Sequence, residues 1–127
     1  MVSPLALALV AAGGALGATL RALAGAAAAR LLGLGFPWGT LFVNVVGSAL
    51  MGLAFALLVE RGGPGRLAPF LTTGLLGGFT TFSAFSLDAV ALFERGEAGR
   101  AALYVGASVA LSIAALTAGL ALGRSAA

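Results

Sequence analysis

The chain has 127 residues, of which 61% are hydrophobic and only 9% are charged. So few charges cannot cover the surface of a water-soluble protein of this length, and the mean hydropathy of +1.11 agrees with that exclusion. The net charge of +3 comes from seven arginines and four acids, and in so apolar a chain it reflects loop arginines and not a nucleic-acid-binding surface.

Four long apolar segments follow one another along the chain, at roughly residues 4–32, 39–59, 67–93 and 98–122. Each reaches the length of about 20 residues that a helix needs to cross a bilayer. The sequence therefore predicts an all-α integral membrane protein with four transmembrane helices in one domain, residues 1–127. We expect the first segment to be a span and not a cleaved signal peptide, because no Lys or Arg precedes it and it is too long.

The arginines are divided almost evenly between the two ends of the predicted helices. One face carries Arg61, Arg66 and Arg124, and the other carries Arg30, Arg95 and Arg100, with Arg21 inside the first span. A positive-inside bias normally fixes orientation, and here it is missing. The pattern is compatible with insertion in both orientations, which favours an antiparallel homodimer, and equally with a small protein that has few charges and one orientation.

Small residues recur at four-residue spacing in the first and fourth segments. The pairs are Gly13 with Gly17 and Gly119 with Gly123. Such spacings let the backbones of membrane helices approach closely. We interpret both pairs as packing contacts.

Polar side chains form two stripes at the same spacing. Thr40, Asn44 and Ser48 share one face of the second helix, and Tyr104, Ser108 and Ser112 share one face of the fourth. A single hydroxyl in a membrane helix often bonds its own backbone or a neighbouring helix. Two straight stripes, one of them with a carboxamide that is costly to bury unpaired, indicate a lined path instead.

The third segment carries a glycine- and hydroxyl-rich tract, residues 72–86, near its middle. Thr80, Thr81, Ser83 and Ser86 follow its glycines. Irregular polar backbone occurs at membrane depth only where protein or enclosed water satisfies it. The tract therefore predicts a helix broken near its middle, at a functional site.

The chemistry of the two stripes and the tract favours a small anion. Every member offers a hydrogen-bond donor, and no Lys, Glu or His occupies the centre of a span for proton relay. Phe82 and Phe85 stand three residues apart on one helix face, and aromatic ring edges are positive. Core packing is the ordinary role of such a Phe pair, and the surrounding tract is what favours a role toward an anion.

Three runs, residues 13–21, 36–48 and 77–86, resemble the CrcB/Fluc family of fluoride channels, and the resemblance extends over all four segments. It implies a dual-topology, antiparallel homodimer with two pores in the bacterial inner membrane, which exports fluoride passively. It also implies a central structural sodium ion.

The resemblance assigns roles residue by residue. Asn44 matches the pore asparagine, Phe82 and Phe85 match the paired phenylalanines of the fluoride path, and Gly77 and Thr80 match the positions whose backbone carbonyls hold sodium. The pore hydroxyls implied are Thr81, Ser83, Tyr104, Ser108 and Ser112, and the vestibule residues are Arg21 and Asp88. Two positions depart from the family pattern: Ala84 stands where Ser or Thr is frequent, and Asp88 where the family mostly has Glu.

Two other classes of membrane protein have a similar size. A small dual-topology multidrug or cation antiporter would place a carboxylate in its first helix, where this chain has Arg21 and no acid before Glu60. An accessory subunit that only binds other helices would leave Asn44 and the broken third helix without a role. Of all the classes, an enzyme agrees least with the sequence, since it contains no nucleophile–base pair, metal cluster or phosphate-binding loop.

Overall fold

The computed structural model describes residues 2–126. Within them, four helices are long and apolar enough to cross a membrane: Pro4–Leu32, Trp38–Glu60, Leu67–Glu94 and Ala98–Ser125. The all-helical class and the four predicted spans are confirmed. The antiparallel homodimer and the dual topology stay predictions.

The ends of the first helix follow ordinary capping chemistry. The Ser3 hydroxyl accepts a hydrogen bond from the amide of Ala6 at 3.1 Å, and Pro4 occupies the first helical position. Gly33, with φ of 81°, ends the helix in a conformation that glycine adopts without strain. The chain then turns through residues 33–37 into the second helix.

Two segments of the helices have the wider π-helical winding. They are Phe55–Glu60 at the end of the second helix and Phe70–Leu76 in the third. π-Helical turns are rare and occur often near functional sites. The sequence pattern gave no indication of either segment.

The third helix is broken at Thr80 and Thr81, as the glycine- and hydroxyl-rich tract predicts. Thr80 has φ and ψ of −84° and 157°, and Thr81 has −154° and 123°, so both are extended. Regular helix resumes at Phe82 and runs to Glu94. The break divides the helix into an amino-terminal half, residues 67–79, and a carboxyl-terminal half.

The helices pack as two pairs whose backbones approach closely. The second helix runs along the fourth, and the first packs on the amino-terminal half of the third. A Cβ atom added to Gly17 would lie 2.8 Å from the Phe79 nitrogen, and one added to Gly119 would lie 2.9 Å from the Ala49 carbonyl carbon. The interpretation of these glycines as packing contacts is therefore confirmed.

The buried core of the single chain is small and lies beside the carboxyl-terminal half of the third helix. Tyr104, Leu92 and Phe85 form it together with Ala101. Many large apolar side chains are exposed around it, as expected of helices whose outer faces contact lipid or another chain.

A hydroxyl-lined cavity at the break of the third helix

A cavity of about 310 Å³ lies where the second and fourth helices meet the break of the third. Its walls carry the amide of Asn44, hydroxyls from three helices and two phenyl rings. The lining residues are Asn44, Ser48, Thr80, Thr81, Phe82, Phe85, Ser108, Val109, Ser112 and Ile113. None of these is charged, so the cavity offers dipoles and ring edges to an ion and no fixed countercharge. We call it the inner cavity.

Asn44 clamps the backbone of the break. Its Oδ1 accepts from the amide of Thr81 at 2.8 Å, and its Nδ2 donates to the carbonyl of the same residue at 3.0 Å. A carboxamide has two N–H donors, and this pair of bonds uses one of them. Asn44 therefore keeps one donor for the inner cavity while its other groups hold the break open.

Two further side chains replace helix hydrogen bonds that the break removes. The Arg21 Nε donates to the Gly78 carbonyl at 3.0 Å, and the Thr81 hydroxyl accepts from the amide of Ala84 at 3.2 Å. A cation beside the last carbonyls of a helix segment is also favoured by the helix dipole. The first helix thus stabilises the amino-terminal half of the third through one intramembrane arginine.

These substitutions release two backbone carbonyls from their helical partners. The amide of Thr81, which would bond the Gly77 carbonyl in a continuous helix, is bonded to Asn44 instead. The amide of Ala84, which would bond the Thr80 carbonyl, is bonded to the Thr81 hydroxyl. Gly77 is exposed on the surface of the single chain. The two carbonyls assigned to sodium are therefore free of these helical donors.

The fourth helix contributes two hydroxyls without a protein partner. The Oγ atoms of Ser108 and Ser112 are buried and make no hydrogen bond within the described chain, and both residues line the inner cavity. A buried hydroxyl is normally bonded, because leaving it unpaired costs free energy. The two serines thus hold unpaired hydroxyls in the wall of the inner cavity.

The phenylalanine pair forms one wall of the inner cavity. The ring centroids of Phe82 and Phe85 are 5.4 Å apart, at an interplanar angle of 49°. Phe85 is buried, whereas Phe82 is 76% exposed on the single chain. This arrangement agrees with the prediction that both rings share one helix face.

Tyr104, which the resemblance assigns to the pore, is fully buried and is not part of the lining of the inner cavity. Its hydroxyl donates to Asp88 Oδ2 at 3.0 Å, and its ring contacts Phe85 on one side and Phe36 on the other. Phe36 belongs to a second cavity of about 240 Å³, which we call the outer cavity. Tyr104 therefore stands between the two cavities.

The structure brings most of the predicted site together and leaves some residues outside it. Asn44, Thr80, Thr81, Phe82, Phe85, Ser108 and Ser112 line the inner cavity. Ser83 is exposed beside it, with its Oγ 3.4 Å from the Thr81 hydroxyl. Asp88 lines the outer cavity. Arg21 and Gly77 line neither cavity and lie on the backbone of the break.

Sequence reasoning missed three contributors. Ser48 belongs to the polar stripe of the second helix but not to the residues that the resemblance assigns to the pore, and it lines the inner cavity. Phe36 and Arg95 line the outer cavity, which no motif predicted. Loop residues of this kind carry no periodic signal, so only the tertiary structure places them.

Together, the fold and the cavities define a class of protein: a four-helix membrane protein with an uncharged, donor-lined cavity at a helix break. Residues 8–120 match the family model described as "CrcB-like protein, Camphor Resistance (CrcB)". The chain belongs to this family, and it is a multi-pass protein of the bacterial cell membrane.

Curated relatives agree over nearly the full length. The chain is 62% identical over 115 residues to the "Fluoride-specific ion channel FluC" of Cereibacter sphaeroides (strain ATCC 17029 / ATH 2.4.9), which covers 91% of each chain. It is 58% identical over 119 residues to the protein of the same name from Agrobacterium fabrum (strain C58 / ATCC 33970), which covers 93% of this chain and 95% of the relative. The family is one of ion channels, and the chain is not an enzyme.

Proposed function

We propose that the chain is a fluoride channel that lowers the fluoride concentration of the cytoplasm by passive export. The observation that carries this proposal is the pair of unpaired buried hydroxyls, Ser108 and Ser112, in a cavity lined by no charged residue. A small, strongly hydrated anion needs donors that replace its water without holding it too tightly. Hydroxyls, one amide N–H and phenyl ring edges meet that need. The names of the relatives specify fluoride as the ion.

The direction of transport follows from the membrane potential. An inside-negative potential contributes about 2.3 kcal/mol per charge for each 100 mV, so it drives an anion out of the cell. A conducting pathway is sufficient for export, and no energy-coupling domain is required. Within the described residues, no acid lines the inner cavity to couple protons to the ion.

We propose that the channel is an antiparallel homodimer with two pores, embedded in the lipid bilayer and without nucleic-acid partners. Phe82, 76% exposed beside the inner cavity, supports this assembly, since a ring at the wall of a pore needs cover from another chain. The exposed glycine at the break, Gly77, supports it as well. Near-equal arginine counts on the two faces agree with dual topology.

Fluoride efflux from liposomes tests the proposed function directly. Purified protein is reconstituted, the potential is clamped with a potassium gradient and an ionophore, and released fluoride is read with an electrode. We expect rapid fluoride release, no release from matched chloride-loaded vesicles and no need for a proton gradient. Release that depends on a proton gradient would favour an antiporter, and no release from dimeric protein would contradict the proposal.

We further propose a structural sodium ion at the break of the third helix. Carbonyls of unwound helix suit this hard cation, and those of Gly77 and Thr80 have lost their helical donors. Two oxygens from one chain are too few to enclose the ion, and a two-fold partner would double them. A bound cation would also hold two inverted chains together and favour anion passage nearby.

Sodium removal should therefore destabilise the dimer. A ligand present at about 100 times its Kd raises the stability of the form that binds it by about 2.7 kcal/mol. We expect a higher midpoint of thermal unfolding, and more dimer by size-exclusion chromatography, in sodium than in N-methylglucamine or potassium at equal ionic strength. Identical midpoints in all three cations would contradict the sodium site.

A further inference from the structure

The outer cavity opens at one membrane face, next to two loops. It lies between the carboxyl-terminal ends of the first and third helices and the start of the second. The connections at residues 33–37 and 95–97 border it, and loops of a membrane protein lie at the aqueous interface. Tyr104 separates it from the inner cavity, with Phe36 on the outer side and Phe85 on the inner side.

Two charged side chains of opposite sign line this cavity. Asp88 accepts the hydroxyl of Tyr104 at 3.0 Å, and Arg95 is the one cation of the described lining. Arg95 Nη2 also bonds the Gly35 carbonyl at 3.3 Å and Glu97 at 3.1 Å. An acid at the entrance of an anion path repels the ion, so the presence of Arg95 in the same lining requires an explanation.

We propose that Arg95 offsets the negative charge of Asp88 in the outer cavity, and so raises the concentration of fluoride there before the ion passes Tyr104. Charged side chains at the mouth of a pore select the sign of the ion, and low-dielectric walls focus their field. The positive charge of Arg95 offsets the repulsion between Asp88 and the anion. The negative charge of Glu97, which is paired with Arg95, weakens the attraction of Arg95 for the anion. This inference rests on the proposed function of the chain as a fluoride channel.

The chain offers a matched control in Arg100. Its Nη1 lies 3.5 Å from the same Gly35 carbonyl that Arg95 bonds, but Arg100 does not line the cavity. Both arginines sit beside the same loop and carry the same charge. A general effect of surface charge or of loop anchoring would be equal in variants of either residue, whereas an effect of the charge inside the cavity should be larger at Arg95.

The test compares fluoride efflux by the R95Q, R95K and R100Q variants at two ionic strengths, with a non-permeant salt. At about 10 mM, where the Debye length is roughly 30 Å, screening is weak, and at about 1 M, where it is roughly 3 Å, exposed charges are screened. We expect R95Q to lower flux roughly three- to fivefold at low ionic strength, with little difference at high ionic strength. R95K should restore most of the flux, and R100Q, which removes a charge outside the cavity lining, should lower flux clearly less than R95Q.

Glu97 supplies a variant of opposite sign. Replacing it by glutamine releases Arg95 from its ion pair, so E97Q should raise flux at low ionic strength. An unchanged flux in R95Q would overturn the inference. A loss that persists at high ionic strength and that lysine does not restore would also overturn it, because it would indicate a role in loop packing. If the unmodified protein releases no fluoride, the proposed channel function is contradicted. If it releases fluoride and R95Q releases it equally fast, only the role of Arg95 is contradicted.

Discussion

Replacement of Asn44 by leucine should lower fluoride flux by at least about 100-fold, because it removes two bonds to the helix break and the donor that faces the cavity. In the structure the carboxamide holds both backbone groups of Thr81, at 2.8 and 3.0 Å. Leucine has a similar size and neither donor nor acceptor. The Thr81 amide and carbonyl would then be unpaired at membrane depth, where each unpaired group costs about 1–3 kcal/mol.

The aspartate variant separates the two roles of Asn44. In N44D a carboxylate oxygen still accepts from the Thr81 amide, so the break keeps one of its two bonds, but the side chain no longer donates and adds negative charge. We expect N44D to fold and assemble more like the unmodified protein than N44L does, and yet to conduct little fluoride. Dimer content by size-exclusion chromatography and efflux from liposomes measure the two properties in the same preparation.

Ser48 supplies the control for this experiment. It follows Asn44 by one helical turn and lines the same cavity, but, unlike Asn44, it makes no hydrogen bond to Thr81. We expect S48A to keep most of its flux. Full fluoride flux in a correctly assembled N44D protein would contradict the assignment of Asn44 to the pore, whatever the result for N44L.

For Asn44, the sequence predicted the helix face on which it lies but not its hydrogen-bond partner. A lone carboxamide among apolar residues indicated a partner or a ligand, and the four-residue stripe placed it on the face that lines the cavity. The partner itself is the backbone of Thr81, 37 positions away along the chain. No periodic pattern encodes that distance, so the clamp was visible only once the second and third helices were packed together.

The helix break was predictable and its support was not. Glycines and hydroxyls at residues 72–86 indicated irregular backbone, which Thr80 and Thr81 adopt. Arg21 was assigned to a vestibule because of the family resemblance, and its Nε bonds the Gly78 carbonyl. An arginine within a span signals an intramembrane partner, but its sequence position does not identify which carbonyl it reaches.

The outer cavity was beyond sequence reasoning for a different reason. Its lining comes from three helices and a loop. Of these residues, the polar stripe indicates Thr40, the family resemblance assigns Asp88 to a vestibule, and Arg95 enters only through the distribution of arginines. Trp38 and Phe36 pack against each other, with ring centroids 4.7 Å apart, and together with Gly39 they shape its wall. Such a surface depends on how the loop at residues 33–37 folds back, which local patterns do not specify.

The double replacement of Ser108 and Ser112 by alanine should lower fluoride flux about 30- to 100-fold, since a hydrogen bond to a charged group contributes roughly 1.5–3 kcal/mol and water can replace part of it. Both hydroxyls are buried and unpaired, and both residues line the inner cavity. Each single variant should lose less than the pair. The measurement is the initial rate of fluoride efflux at a clamped potential.

The same double variant should not lose stability. Lower flux at unchanged stability would separate a role in the ion path from a role in the fold. A hydroxyl with a protein partner loses a hydrogen bond when it is removed, as Thr117 would lose its bond to the Ile113 carbonyl at 2.9 Å. Removal of an unpaired buried hydroxyl relieves a desolvation cost instead, so the midpoint of thermal unfolding should stay the same or rise. T117A, on the same helix, should leave flux unchanged. If the double variant unfolds more readily and conducts normally, the two serines stabilise the fold or the dimer, and the inner cavity is not the route of the ion.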